Sequence, residues 1–138
     1  MAVSFQNQDI TFKLSEKAKI KSWIKTIIVS EKKIQGEINF VFTTDEEVLK
    51  TNIQFLKHNT YTDIITFDYC ENKTINGDII ISIERVKENA KKFDVDFETE
   101  LKRVIIHGVL HLCGYKDKSE KDAALMRSKE NTALKKYK

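Results

Sequence analysis

The residues of this chain best suited to chemistry lie within 100–117, read as ELKRVIIHGVLHLCGYKD. His107 and His111 are four residues apart, a spacing that places two imidazoles on adjacent turns of one helix side, within reach of a single ion. Leu101, Val104, Ile105, Val109 and Leu112 recur at helical period and form a separate apolar stripe, which leaves both histidines outside it. Gly114 follows where a left-handed C-cap is expected, and such a reversal lets Asp117 return toward the two rings. His107, His111 and Asp117 are therefore expected to hold one divalent metal per chain. Two nitrogens and one oxygen favour zinc and also suit nickel, cobalt or manganese.

An isolated histidine pair at this spacing is more often helix surface or core than a ligand pair. The glycine turn and the acid set this one apart, in a chain with only three histidines. Three protein ligands leave a coordination position open, as in catalytic rather than structural zinc sites. Cys113, two residues beyond His111, points away from the pair; its expected role is packing, and with Cys70 it is expected to be a free thiol. Asp63 is the candidate for proton transfer, with a turn or cap role as the alternative. Glu100 shares the histidine side but lies two turns away, so it reads as a helix-start charge.

These side chains need a scaffold, and periodicity along the chain describes one. A strand is expected over residues 10–13, with an extension back through Val3 and Phe5. Ser15 is the expected cap of a helix burying Ile20, Trp23, Ile24, Ile27 and Ile28. A strand over 37–43 puts Ile38, Phe40 and Phe42 on one face. Thr44 with Glu47 then makes a capping box for a helix that would bury Val48, Leu49, Ile53 and Leu56. After a polar loop over 57–62, strands over 63–69 and 79–83 are expected to lie antiparallel, with Asn76-Gly77 as the turn signal. Ser82 or Ile83 opens a helix with Ile83, Val86, Ala90 and Phe93 in period. Asp96 caps the histidine helix, and Ser119 with Asp122 opens a terminal one. The expected fold is α+β: a single metal-dependent hydrolase domain over 1–138, with a mixed sheet of about four strands packed with about five helices.

Composition narrows the setting. A chain 41% hydrophobic and 33% charged, with no apolar run of membrane-spanning length and no secretory pattern, is expected to be cytoplasmic. Net charge is only +3, too little to announce a nucleic-acid binder by itself. Residues 115–138 sum to +4 and the rest of the chain to −1, so the basic end could touch phosphate, although such a run is more often a solvated helix face.

Three blocks, HGVLHLCGY at 107–115, TDIITF at 62–67 and GDIIIS at 77–82, resemble in order and spacing the YbeY family of metal-dependent endoribonucleases, rRNA maturation factors of bacteria. Met126 and Glu130 in the terminal helix continue the likeness. The resemblance implies single-strand-specific RNA cleavage, acting in 16S rRNA 3′-end maturation and ribosome quality control, with zinc as the ion. It implies rRNA of the small ribosomal subunit as partner, with room for a ribosomal protein and no membrane. The family's third histidine corresponds to Asp117, which keeps three ligands. Its arginine, four residues after the asparagine that matches Asn52, corresponds to Leu56, so Lys57 and His58 become the candidates for substrate contact. A reading of another class is a ribosome-associated assembly factor whose metal is structural or vestigial; the exchange at Leu56 favours it and the open ligand set opposes it. A zincin-like peptidase fails at Gly108, where its glutamate base would stand.

Overall fold

A computed structural model of the chain describes residues 2–56 and 62–137. Within them run β1 (Val3–Asn7), α1 (Lys17–Ser30), β2 (Ile34–Thr43), α2 (Asp45–Leu56), β3 (Ile64–Asp68), β4 (Thr74–Ser82), α3 (Ile83–Lys92), α4 (Phe97–Leu112) and α5 (Glu120–Lys135). The strands form one sheet in the order β1-β2-β4-β3. β1, β2 and β4 are parallel, and β3 closes the edge antiparallel to β4. The α+β class, the mixed four-stranded sheet and the antiparallel last pair agree with the sequence reading.

Register explains where the core lies. Phe40 of β2 pairs with Phe5 and with Ile79, and Phe42 with Ile81, so alternate residues of the parallel strands share one face. Against that face sit Ile20, Trp23, Ile24, Ile27 and Ile28 of α1, all buried as their spacing predicts. α4 is more enclosed than a single stripe requires. Ile106, Gly108 and Leu110 are buried along with the predicted residues, so this helix is core on nearly all sides. Only a narrow polar line, which includes Arg103, His107 and His111, is left partly open.

Several expectations are corrected. The strand predicted over 10–13 is coil, because pairing with β2 ends at Asn7 and Asp9 takes a left-handed φ of 56°. The alternation there arises because Ile10 and Phe12 tuck into the core from a loop. Ser15 is not the α1 cap; that position is Glu16, at φ 58° and without a side-chain cap bond. Asp96 occupies the α4 N-cap position but makes no side-chain cap bond. Thr44, Ser82 and Ser119 do cap, accepting from the amides of Glu47, Arg85 and Asp122. Ile53 is 48% exposed and Phe93 is 53% exposed, and the polar Asn52 takes the buried place on α2.

The largest departure concerns Asn76-Gly77, which lies inside β4 rather than in a turn. The chain reverses earlier, between the Glu71–Thr74 bridge, with Asn72 at φ 54°. The Asn76 side chain instead accepts the Glu37 amide at 2.8 Å, where the β2–β4 register shifts. Gly77 is needed for closeness: a Cβ there would stand 2.6 Å from the Phe67 carbonyl oxygen and 2.9 Å from both Leu112 methyls. The sheet edge and the end of α4 can meet only over a residue without a side chain. Gly77→Ala is accordingly expected to cost about 2 kcal/mol, since the carbonyl cannot step aside. A lowered urea midpoint with an unchanged m-value is the measurement that checks it.

Candidate metal centre

α4 sets its two histidines one turn apart, with ring centroids at 4.7 Å and ring planes at 74°. The helix then ends in a six-to-one reversal. Gly114 takes φ 111°, the Tyr115 amide donates to the Leu110 carbonyl at 3.1 Å, and the Gly114 amide donates to His111 at 3.0 Å. The turn is tied down from outside. Tyr115 donates its hydroxyl to Glu31 at 2.6 Å, and Lys129 of α5 meets the same carboxylate at 3.3 Å. From this anchored turn Asp117 comes back to the rings. Its Oδ2 lies 3.2 Å from Nε2 of His107 and 3.4 Å from Nε2 of His111, and one donor atom from each of the three residues falls within a 4.8 Å cluster. The predicted trio is brought together.

The spacing fits a shared ion better than direct bonds. Charge-assisted N–H···O bonds run at about 2.7–2.9 Å. Tetrahedral bonds of about 2.0–2.2 Å instead put neighbouring ligand atoms roughly 3.3–3.6 Å apart. The separations of 3.2 and 3.4 Å lie closer to the second figure. Two imidazole nitrogens and a carboxylate oxygen are also the donor chemistry of zinc.

Behind the rings lies Glu130 of α5, whose side chain is 5% exposed. Its Oε2 is 2.6 Å from Nδ1 of His107, and its Oε1 accepts from Arg103 at 3.1 Å; Arg103 also donates to Asn131 at 3.1 Å. Burial alone would raise the Glu130 pKa, but the His107 hydrogen bond and charge, with Arg103 and Arg127, outweigh it and hold the group below the usual carboxylate range. An ionised Glu130 can only accept, so the proton sits on Nδ1 of His107 and Nε2 faces Asp117. Burial opposes charge on His107 as well, yet Glu130, Asp117 and Asp63 together raise its pKa. His111 goes the other way: burial and the neighbouring His107 lower it, against the pull of Asp117.

The trio opens on a cavity of about 610 Å³ between β3, α3, α4 and α5. Asp63 lines it just before β3; its carbonyl ends the ladder by accepting from Ser82 at 2.9 Å, while burial raises the pKa of its carboxyl and His107 counteracts. Glu100 stands in the first turn of α4, as its reading as a helix-start charge requires. It is also 5% exposed against the same cavity, with its pKa raised by burial and opposed first by Arg103. Lys57 and His58 lie outside the described residues. Cys70 and Cys113 are free and stand outside the donor cluster; burial pushes their thiols up to about 11 and about 12. Sequence reading missed Glu130 and Arg103 as parts of the site. The signal was present in α5, where Met126, Glu130 and Ala133 follow helical spacing and are all buried, so an acid interrupts an apolar stripe.

The profile of the family described as Endoribonuclease YbeY matches residues 3–138. Among curated proteins of that name, one from Flavobacterium psychrophilum is 55% identical over 133 residues, covering 96% of this chain and 94% of that protein. Another, from Bacteroides fragilis, is 45% identical over 134 residues, covering 97% and 96%. The solution structure of TM1509 from Thermotoga maritima superposes with a TM-score of 0.66 at 26% identity, covering 96% of this chain and 87% of that one.

The buried acid at the far end of the cavity has a consequence for stability. The Glu100 pKa is higher in the folded than in the unfolded chain, so folding favours its protonated form. The penalty is full above the folded pKa and vanishes below the ordinary carboxylate range. Glu100→Gln should therefore melt at a higher temperature than wild type at pH 7, and the gap should close as the pH falls to about 4. Thermal unfolding followed by circular dichroism across that range is the check.

Proposed function

The chain belongs to the Endoribonuclease YbeY family, and on that premise we propose that it cleaves single-stranded RNA at a divalent-metal centre held by His107, His111 and Asp117. The observation that carries this reading is the convergence of three donor atoms within 4.8 Å on the wall of the cavity. When bound, a divalent ion supplies positive charge for phosphate oxygens and raises the acidity of water. The donor set supports zinc as that ion.

The chain's own residues divide the work around it. Glu130 takes the Nδ1 proton of His107 as a hydrogen bond and thereby leaves Nε2 for ligation. His111, with its pKa lowered by burial and by His107, is held as the neutral imidazole that ligation needs. Asp117 contributes the one negative charge of the set. Asp63, with its pKa raised by burial, is placed to hold a proton nearer neutral pH than an exposed carboxyl and to hand it to the oxygen that departs. Buried β3 and α4 side chains behind the cavity, Ile65 and Val104 among them, keep water from the rear of the site.

We assign the activity a finer setting: 3′-end maturation of 16S rRNA and ribosome quality control in the cytoplasm, with the small subunit and a ribosomal protein as partners. Family membership supports this setting. It is also compatible with the helices, since none among the described residues is long and apolar enough to cross a membrane.

Nuclease-free wild-type protein should cut a single-stranded RNA and hold one zinc per chain. His111→Ala should lose about 100-fold or more in kcat/KM, and Asp117→Ala should lose stoichiometric zinc by elemental analysis. Equal cleavage by wild type and His111→Ala contradicts the enzyme reading. Stoichiometric metal retained in Asp117→Ala removes that residue from the ligand set.

A further inference from the structure

The polar line of α4 continues past the histidines. Arg103 lies one turn before His107 and lines the same cavity, joined there by Arg127 of α5 and by Lys118. Among the described residues, Glu130 and Asn131 hold Arg103, each met through Nη1 at 3.1 Å. The guanidinium is therefore fixed in place by one end. Arg127 stands at the rim, its side chain 57% exposed and its Nη1 3.7 Å from Glu130. A planar guanidinium suits phosphate recognition because its donors match a pair of phosphate oxygens.

Position and charge both favour a nucleic-acid backbone. Four residues along α4 separate Arg103 from His107, about 6 Å of helix rise, a distance one nucleotide spans. Among the described residues, the acids on the cavity wall are Asp63, Glu100, Asp117 and Glu130, and the cations are Arg103, Arg127 and Lys118. With neutral imidazoles the walls are thus slightly acidic, and a divalent ion on the trio reverses that sign. Burial, which raises the pKa of both Asp63 and Glu100, moves the balance further toward positive.

We propose that Arg103 and Arg127 form a subsite for the backbone phosphate next to the one at the metal trio. The subsite rests on the nuclease reading for its ligand, single-stranded RNA, but not on cleavage. It places that neighbouring contact on α4 and α5.

The test is the salt dependence of binding of a short pyrimidine oligodeoxynucleotide to zinc-loaded protein, since one lost phosphate contact lowers the log–log slope by about 0.7 on a single strand. Arg127→Gln should lower the slope by that amount. It should also raise KM for RNA about 5–10-fold while kcat stays within about two-fold. Arg103→Lys keeps the charge but loses the fork, so it should weaken binding and keep the slope. Lys25→Gln, the same loss of charge on exposed α1, should change neither. Cobalt affinity and the visible cobalt spectrum should match wild type in Arg127→Gln, which separates a phosphate contact from damage to the trio. A reduced slope in Arg127→Gln alone supports the subsite even if wild type fails to cut RNA, a failure that would fall on the nuclease reading. Equal slopes in wild type and Arg127→Gln, an equal loss in Lys25→Gln, or no binding by wild type overturns it.

Discussion

A buried carboxylate that must be answered on both oxygens is the constraint on which the site depends. Glu130 is almost wholly enclosed, and an unpaired charge there would cost several kcal/mol. Its two oxygens are met by His107 and Arg103, both on α4. The same contact does two things. It pins α5, whose buried residues are only Met126, Glu130 and Ala133, against α4, and it sets which nitrogen of His107 is free. Trp23 assists from the far end by donating its indole to the Ala133 carbonyl at 2.8 Å, so α5 is held by polar contacts at two heights.

The scaffold fixes α4 with little freedom. Its apolar residues touch helices and sheet on nearly every side, and Gly108 lets it approach β3 and β4 so closely that a Cβ would stand 2.9 Å from Ile64 and 3.0 Å from Ile79. Gly108 therefore faces the sheet, not the cavity. A glutamate at that position could not serve the trio as a base, which is the structural reason a zincin-like reading does not apply. The third donor reaches the site through a turn closed by Gly114 and bound to Glu31 through Tyr115, so its placement is inherited from α1 and α5 as much as from α4.

Much of this was legible in the sequence, for identifiable reasons. The trio was readable because helical period and a glycine C-cap are local rules acting within eleven residues. The α1 stripe, the β2 face and three of the caps were readable on the same grounds. What escaped depended on distant partners. Asn76-Gly77 has the composition of a hairpin turn, but the close approach of Phe67 and Leu112 turned it into strand interior. Ile53 and Phe93 hold the expected period at the ends of their helices, where no described residue covers them fully. Glu100 reads as a helix-start charge and Glu130 only as part of the family likeness; both are buried because α3, α4, α5 and β3 enclose them around one cavity.

The central claim, that Glu130 orients His107 for ligation, is tested most directly by the zinc affinity of Glu130→Gln, measured by competition with a chromophoric chelator beside a circular dichroism spectrum. The amide keeps the shape but loses the charge that holds the Nδ1 proton. The account predicts zinc bound about 10–100-fold more weakly by a folded protein. An affinity equal to wild type in the folded variant would contradict it.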